Sequence, residues 1–355
     1  VNNTNNRIIA AIIQASILPA VESILSNNQN GFRPGRSTTN NIDYLNERFY
    51  HAFENNKFCD ILFVDFLKAF DSIAHKAIFC LLKSIGFSSG YIAVIKSLFY
   101  KAHCFTNFKD ADPAKIFFES GVKQGCPLSP TLFSLIADVL LDMLENIKGI
   151  DPKMFADDTS LVSDNIIPCL PEIKSCFSTF RAFTGLELNI TKSAIIATGG
   201  RTDLRTALDK VGWSRLRISG NERYLGVYMG HETTQDDIFR PPFEKLKGRL
   251  NNYMKVKNNY SLQNRVIIWN TWLLPIFSYV FNFYAIPSDY LEWLDTLCVR
   301  WLNKGNALKT LYLCRPTNIA GLTTPLRDTS FSNYAALAFR AGNQPLDVNS
   351  PIWSM

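Results

Sequence analysis

The interpretation of this chain starts from one segment, Lys153-Met154-Phe155-Ala156-Asp157-Asp158-Thr159-Ser160-Leu161-Val162. The residues on either side of the acidic pair predict two short strands, so Asp157 and Asp158 fall at the tip of a β-hairpin. Two like charges at a partly buried turn repel each other by roughly several kcal/mol unless a cation neutralises them. Carboxylate oxygens suit Mg²⁺, with Mn²⁺ as the alternative. The tip is a candidate metal site, although such a pair taken alone is more often a solvated acidic turn.

A second acidic pair in the chain serves as a control. Asp236 and Asp237 follow Thr233, Thr234 and Gln235 and precede Ile238. This order predicts the first turn of a helix, where the helix dipole stabilises carboxylates. The second pair therefore requires no metal, and the first pair gains its significance only from the rest of the sequence.

Composition predicts a globular chain. The 355 residues are 47% hydrophobic and 13% aromatic, which excludes a disordered protein and allows two or three subdomains. The net charge is +6, from 37 basic and 31 acidic residues, but it is unevenly distributed. Between Arg240 and Arg265 there are seven Lys or Arg residues and one acid, Glu244. Such a run indicates either contact with a polyanion or a solvated helix face.

The eight cysteines include no Cys-x-x-Cys pair, so neither a zinc finger nor a disulfide framework is expected. We expect reduced thiols and a location in the nucleus or cytoplasm. No signal peptide is predicted, and the opening on Val1 and Asn-rich sequence suggests a fragment of a longer protein. The apolar stretch Val266–Ile286 contains Asn270, Pro275 and Asn282, so a buried helix fits better than a membrane span, and no membrane partner is expected.

An arginine-containing loop lies near the beginning of the chain. After a predicted helix at Ile8–Leu25 come Gly31-Phe32-Arg33-Pro34-Gly35-Arg36-Ser37-Thr38-Thr39, where Ser37 or Thr38 can cap the next helix. Two guanidinium groups beside a helix N-terminus predict a triphosphate clamp. A basic surface loop remains the alternative.

A third carboxylate interrupts a predicted buried strand. Ile61-Leu62-Phe63-Val64-Asp65-Phe66 is apolar except for Asp65, and a charge in such a run is costly unless it is paired or bound to a metal. Asp71, shortly afterwards, is a candidate cap for a helix beginning near His75. If the strand carrying Asp65 lies beside the hairpin in one antiparallel sheet, the three carboxylates converge.

A loop with two glycines and two prolines precedes the most apolar predicted helix, Thr131–Leu144. Its sequence is Gly121-Val122-Lys123-Gln124-Gly125-Cys126-Pro127-Leu128-Ser129-Pro130. Small residues here would let the backbone approach a nucleobase, whereas the alternative is a plain helix-entry loop. Several further elements are predicted from apolar periodicity. They are one or two helices over 75–101, a hairpin at Cys104–Gly121, a helix at Leu170–Phe183, strands at Ala194–Ala197 and Arg223–Val227, and helices from Ile238 onward.

Six segments in this order resemble the motifs of a reverse transcriptase, most closely those of non-LTR (LINE-like) retrotransposons. They are Gly31–Thr39, Phe63–Asp71, Gly121–Pro130, Phe155–Asp158, Gly185–Lys192 and Tyr224–Gly226. The resemblance implies an α+β right-hand polymerase with fingers, an antiparallel-sheet palm and a helical thumb, truncated at its N-terminus. It implies partial fingers at 1–58, a palm at 59–230 with a fingers insertion around 75–122, a thumb at 231–310 and a truncated post-thumb segment at 311–355.

The resemblance also implies the roles of individual residues. Asp65, Asp157 and Asp158 would hold the metal, and Lys192 would protonate the leaving pyrophosphate. The other roles implied are nucleotide binding, the primer grip and contacts with the nucleic-acid backbone. The nucleotide would be bound by Arg33, Arg36, Lys68, Ala69, Phe70, Gln124 and Gly125. The primer grip would be Tyr224, Leu225 and Gly226. The nucleic-acid backbone would be contacted by Lys245, Lys247 and Arg249.

The expected activity is RNA-directed DNA synthesis: deoxynucleotides are added to the 3′-hydroxyl of a DNA primer on an RNA template by a two-metal mechanism. Phe70 would exclude the 2′-hydroxyl of ribonucleotides, and core packing is the alternative role for this ring. Leu311–Arg327 resembles the segment after the thumb. Two other interpretations stay open, a group II intron-type reverse transcriptase and an inactive nucleic-acid-binding remnant of the same fold.

Overall fold

The computed structural model describes residues 4–99, 102–105, 115–199, 202–256, 260–302 and 324–342. The chain divides into two compact units, Val1–Gly226 and Val227–Met355. Each unit has its own hydrophobic core. The palm–thumb boundary expected after residue 230 thus lies close to the division after Gly226, whereas the expected fingers and palm segments share the first unit.

A mixed five-stranded sheet, mostly antiparallel, is the centre of the first unit. Its spatial order is β4-β5-β1-β6-β7, and only the β6–β7 pair is parallel. The strands of this sheet are β1 (Asp60–Val64), β4 (Asp151–Phe155), β5 (Asp158–Ser163), β6 (Ala194–Ala197) and β7 (Arg217–Ser219). A separate antiparallel pair is formed by β2 (His103–Phe105) and β3 (Lys115–Phe117). The last strand of the unit is β8 (Glu222–Tyr224). All five residues of β1 are buried, as expected for a central strand.

Helices cover this sheet. They are α1 (Thr4–Ile24), α2 (Thr38–Glu54), α3 (Ala69–Ser72), α4 (His75–Ser84), α5 (Ser89–Phe99), α6 (Ser129–Glu145), α7 (Leu170–Thr184) and α8 (Asp203–Lys210). Eleven residues of α6 are buried, which explains its nearly uniform apolar sequence. The α+β class expected from the sequence is therefore observed.

Helix α1 is long and apolar enough, by length and composition, to meet the criteria for a membrane span, and within the described ranges it alone does so. The same test is passed by core helices of soluble proteins. Ala10, Ile13, Ile17 and Val21 recur at helical spacing and pack into the core of the first unit. The buried side of α1 therefore belongs to this core.

Two predictions about helix starts have different outcomes. Ser37 caps α2 in a capping box completed by Asn40, which satisfies backbone N–H groups at the helix start. Asp71, in contrast, caps no helix: α4 begins after Ala74 and has no side-chain cap. The carbonyl oxygen of Asp71 accepts a hydrogen bond from Ser120 Oγ at 2.9 Å. The capping role considered for Asp71 is therefore wrong.

The second unit is helical after one short strand. Its elements are β9 (Val227–Met229), α9 (Gln235–Met254), α10 (Leu262–Ile268), α11 (Ser278–Phe281), α12 (Ser288–Leu302) and α13 (Thr329–Gly342). Thr234 and Asp237 form a capping box at the start of α9, so the control acidic pair is a helix first turn as predicted.

The stretch Val266–Ile286 is not one helix. After α10 the backbone continues as a π-helical turn and a 3-10 turn before α11. Asn270, in the π-helical turn, bonds to a later segment of the chain: its Nδ2 donates to Pro325 O at 2.8 Å and its Oδ1 accepts from Arg327 N at 2.9 Å. The single buried helix expected here is therefore wrong. The regular α-helical backbone is interrupted before Pro275, which has no N–H group to donate.

One member of the expected basic run is internal. Arg265 is fully buried and donates to the carbonyl oxygens of Tyr260 and Leu302. Burial lowers the pKa of its guanidinium. Arg265 therefore belongs to the core of the second unit, which corrects its assignment to a polyanion-binding surface.

The structure describes the side chains of six of the eight cysteines, and all six are free thiols. They are Cys59, Cys80, Cys126, Cys169, Cys176 and Cys298. Most of the predicted segment Leu311–Arg327, with Ala320, Gly321 and Leu322, lies outside the described residues, as does the turn of the β2–β3 hairpin.

Candidate active site

Three carboxylates meet at one edge of the central sheet. Residues Phe155 and Asp158 pair across the β4–β5 hairpin, with Ala156 and Asp157 forming its turn. Val64 pairs with Thr159 across β1 and β5, so Asp65, the next residue of the chain, continues toward Asp158. This antiparallel register is what brings together acids separated by ninety residues of sequence.

The carboxylates interact electrostatically. The pKa of Asp158 is raised to about 6, first by burial and then by the charges of Asp157 and Asp65. The pKa of Asp157 is also raised, by burial and by the charge of Asp65. Such mutual destabilisation of anionic side chains is characteristic of a site that binds a cation.

Asn189 fixes the position of Asp65. Its Nδ2 donates to Asp65 Oδ2 at 3.1 Å, and its backbone N–H donates to Asp65 O at 2.8 Å. Ser193 Oγ accepts from the backbone N–H of Asp65 at 3.1 Å. Asn189 and Ser193 both belong to the turn before β6, so this turn holds Asp65 in place.

The three acids have the donor chemistry that Mg²⁺ or Mn²⁺ requires, oxygen ligands with uncompensated negative charge. No ion pair among the described residues neutralises any of them. Their side chains do not, however, form a closed coordination group, and the described chain contains no set of three His, Cys, Asp or Glu residues that does. The acids thus fit a divalent cation by chemistry and location, whereas a ready-made coordination cage is not formed.

The hairpin that carries Asp157 and Asp158 is packed tightly against the loop that begins at Gly31. A Cβ on Gly31 would lie 2.0 Å from Ala156 N, so only glycine fits against the hairpin turn. The side chain of Gln29 is completely buried, and its Oε1 accepts from Gly31 N at 2.9 Å and from Ala156 N at 3.2 Å. Ala156 adopts a φ of 59°, a left-handed conformation that non-glycine residues rarely take. Gln29 therefore stabilises the strained residue immediately before Asp157.

The two arginines of this loop differ. Arg33 donates to Glu22 Oε2 at 2.8 Å and to the carbonyl oxygens of Ser26 and Gln29, and its side chain is only 7% exposed. In this conformation its guanidinium supports the loop. Arg36 is exposed and contacts only neutral amide oxygens, so its charge is available to an anion. Phosphate contact stays a prediction for both, and the geometry favours Arg36.

Phe70 lies between two other rings. It stacks on Phe133 with a centroid distance of 4.3 Å and meets Phe32 edge-on at 6.0 Å. Its carbonyl oxygen accepts from Val122 N at 2.7 Å, which joins it to the glycine-containing loop. In the same loop, a Cβ on Gly121 would lie 2.7 Å from the backbone of Asp71. The loops carrying Phe70 and Gln124 are therefore packed together.

The remaining predicted nucleotide contacts, apart from Ala69, are at the surface. Gln124 and Gly125 are exposed, and Gly125 has a φ of 79° with open space around its α-carbon. Lys68 is exposed with a φ of 47°, and Ala69 behind it is buried. Lys192 is exposed, and its backbone N–H donates to Asn189 O at 3.1 Å. Their contacts with a nucleotide stay predictions.

Tyr224 belongs to a buried polar chain. Its hydroxyl accepts from Asn41 Nδ2 at 3.0 Å, and Asn41 Oδ1 accepts from Asn30 Nδ2 at 2.5 Å. Its ring lies 5.0 Å from that of Phe63 on β1. Leu225 and Gly226 then turn the chain with φ values of 46° and 87°. The predicted primer grip is thus tied to the sheet through the side chain of Tyr224.

The predicted backbone contacts Lys245, Lys247 and Arg249 lie on α9. Lys245 is exposed, whereas Lys247 forms an ion pair with Glu244 at 3.1 Å. Arg249 Nη1 donates to Trp272 O at 3.0 Å. These residues belong to the second unit, and Lys245 has the most accessible charge among them.

Sequence reasoning missed Gln29, Asn41 and the role of Asn189. Each is a polar residue whose importance comes from partners far along the chain. The only signal was their place beside motifs: Gln29 precedes Gly31, and Asn189 lies within Gly185–Lys192.

An antiparallel sheet under helices, with three carboxylates at one edge, defines the palm of a right-hand polymerase. The chain belongs to the reverse transcriptase (RNA-dependent DNA polymerase) family, whose pattern matches residues 1–229. The recognition made from the six sequence motifs is confirmed, because the similar curated proteins belong to non-LTR retrotransposons.

Two relatives and one solved structure illustrate the similarity. The chain is 26% identical to the transposon TX1 uncharacterized 149 kDa protein of Xenopus laevis over 65% of its length, and 25% identical to the Pol polyprotein of element R2DM of Drosophila melanogaster over 84%. It spans 18% and 29% of those proteins. A telomerase of Candida albicans, solved with a fragment of telomeric RNA, shares the fold with a TM-score of 0.51 at 10% identity, covering 96% of this chain and 54% of that one.

Proposed function

We propose that this chain is the polymerase portion of a retrotransposon reverse transcriptase, which adds deoxynucleotides to the 3′-hydroxyl of a DNA primer on an RNA template. The convergence of Asp65, Asp157 and Asp158 at one sheet edge carries this proposal. Membership in the reverse transcriptase family supports it.

Asp65, Asp157 and Asp158 would hold Mg²⁺ or Mn²⁺. When bound, such a cation activates the attacking hydroxyl and neutralises charge on the leaving pyrophosphate. Asn189 orients Asp65, and Gln29 holds the turn that carries Asp157. Arg36 and Lys192 supply positive charge for the triphosphate, with Lys192 as proton donor to the leaving group.

The decisive variant is Asp157→Asn, measured by primer extension on an RNA template with Mg²⁺ and with Mn²⁺. We expect nucleotide addition to disappear while thermal stability is kept or raised, because the substitution removes one of the mutually repelling charges. Asp209→Asn, an exposed carboxylate on α8, is the matched control and should leave extension unchanged.

Unchanged extension by Asp157→Asn would rule out the metal role of the hairpin. Absence of extension by the unsubstituted chain, with RNA binding retained, would instead favour the nucleic-acid-binding remnant.

A further inference from the structure

A groove between α4 and α5 is separate from the carboxylate edge. It has a volume of about 490 Å³ and is lined by Lys76, Phe79, Cys80, Lys83 and Lys96. No hydrogen bond or ion pair of the described chain joins these side chains to the three acids. The proposed active-site chemistry makes no use of this groove.

The groove lies in a part of the sequence without acids. From Ser72 to Lys109 there is no Asp or Glu, although 31 acidic residues in 355 would place about three in a stretch of this length. The same stretch contains five lysines. Acidic side chains neighbouring in sequence therefore cannot neutralise the groove, unlike on α7 and α8, which contain both acidic and basic residues.

The structure concentrates this charge. On α4, Ala77, Ile78 and Leu82 face the core, which leaves Lys76 and Lys83 on the exposed side two turns, or about 10 Å, apart. Lys96 extends from α5 until its Nζ lies 5.2 Å from the ring centroid of Phe79. No ion pair to any of the three ammonium groups is found among the described residues.

Three like charges around one aromatic ring repel each other and raise the local potential, which an anionic ligand relieves. Their spacing along a groove matches an extended polyanion better than a single anion. Lysines that follow a backbone, beside a half-buried aromatic ring, are the combination used by sites that track single-stranded nucleic acid. An acidic protein would need complementary shape, and a membrane surface would need an exposed apolar face rather than a groove.

We propose that the α4–α5 groove binds the sugar-phosphate backbone of a nucleic-acid strand at a site distinct from the polymerase centre. The proposal rests on the proposed function only in the choice of nucleic acid as the polyanion. Lys76, Lys83 and Lys96 contact phosphates, and Phe79 forms the floor between them.

Cys80 is a chemical probe of the groove, which it lines. Of the six cysteines whose side chains the structure describes, Cys80 alone is exposed. Alkylation of Cys80 by iodoacetamide, followed by peptide mass spectrometry, is measured with and without a single-stranded RNA of about twenty nucleotides. The protein carries Asp157→Asn, so catalysis plays no part. We expect RNA to slow alkylation about fivefold or more at low salt, with protection fading as salt rises.

The lysines are tested by the triple variant Lys76→Gln, Lys83→Gln, Lys96→Gln. We expect it to lose the protection and to reduce the salt slope of RNA affinity by about two units, since each lost single-strand contact removes roughly 0.7. The control triple Lys148→Gln, Lys174→Gln, Lys210→Gln makes the same charge change at exposed positions elsewhere in the unit and should keep the protection.

Single-stranded DNA and polyglutamate of equal charge complete the design. Protection of Cys80 by both RNA and single-stranded DNA would mean that the groove binds either sugar-phosphate backbone. Protection by RNA alone would mean that the groove is specific for RNA. Equal protection by polyglutamate, an unchanged alkylation rate with RNA bound, or equal loss in the control triple overturns the proposal. Primer extension by the unsubstituted protein, with no protection of Cys80 in the Asp157→Asn protein, refutes the groove alone. Protection of Cys80 without primer extension by the unsubstituted protein refutes the polymerase function alone.

Discussion

Gln29 Oε1 accepts a hydrogen bond from Ala156 N at 3.2 Å, linking a side chain near the start of the chain to the turn that precedes Asp157 and Asp158. The same oxygen accepts from Gly31 N. One buried acceptor thus satisfies two backbone donors, and it holds Ala156 in a conformation that would otherwise relax.

Gln29→Met removes this acceptor while keeping the volume of the side chain. We expect a loss of about 1–3 kcal/mol in the free energy of unfolding, because two buried N–H groups lose their partner. We also expect primer extension to fall further than this loss explains, with a higher Mg²⁺ concentration needed for half-maximal rate. Leu208→Ala, a core truncation on α8, is the control for stability. Equal activity of the two variants at matched stability would reduce Gln29 to a packing residue.

Phe70→Val distinguishes a steric gate from a core residue. The ring stacks on Phe133, so either role predicts a loss of about 1–3 kcal/mol in stability. A gate additionally predicts that ribonucleotide incorporation rises relative to deoxyribonucleotide by about tenfold or more, because a clash, not weak apolar discrimination, excludes the 2′-hydroxyl. Single-turnover extension with the two nucleotides in competition measures this ratio. The control is Phe177→Val, since Phe177 is buried beside the rings of Phe66 and Trp213; it should lower stability and leave the incorporation ratio unchanged. An unaltered ratio in an active Phe70→Val protein would contradict the gate.

Asp138 on α6 makes stability depend on pH. Burial raises its pKa to about 6, so the folded chain binds the proton more tightly than the unfolded chain does. The free energy of unfolding therefore falls as pH rises from about 4 to 6. Asp138→Asn keeps the Oδ1 acceptor for Ser26 N and should raise stability at pH 8 by about 1–2 kcal/mol, after allowance for solvent screening.

Urea unfolding across this pH range tests the expectation for Asp138. The gain should vanish below about pH 4, where both states of the unsubstituted protein are protonated. Asp142→Asn, at an exposed position of the same helix, should show a smaller effect. A gain that is independent of pH would assign the effect to packing rather than to charge.

Charge reversal on α9 tests the predicted contacts with nucleic-acid phosphates. Lys245→Glu, Lys247→Glu and Arg249→Glu should weaken primer-template binding regardless of sequence and make its salt dependence shallower, by roughly one unit of slope per lost contact. Lys245 should contribute most, because Lys247 already pairs with Glu244 and Arg249 binds Trp272 O. Arg300→Glu, exposed on α12, is the control. An unchanged slope in the α9 variants would assign these residues to a solvated face.

The class of fold, the hairpin at Asp157 and Asp158 and the strand that precedes Asp65 are all predictable from the sequence. These features depend on local information: apolar runs, turn residues and a charge where a buried strand cannot tolerate one. The starts of α2 and α9 are likewise predictable, because cap and first-turn residues are close neighbours in the sequence. Predictions failed where tertiary contacts override periodicity, as at the interrupted helix after α10 and the buried Arg265.

Which polar groups support the site depends on tertiary contacts and could not be predicted from the sequence. Nothing local distinguishes Gln29 from the asparagines around it, yet its partner Ala156 lies 127 residues away. The same holds for Asn189, which reaches Asp65 across 124 residues, and for Arg33, whose charge is used by Glu22 and the loop rather than offered to solvent. The physical reason is that a buried polar group must be satisfied, and its partner is set by which strands and loops the sheet brings together, not by spacing along the chain.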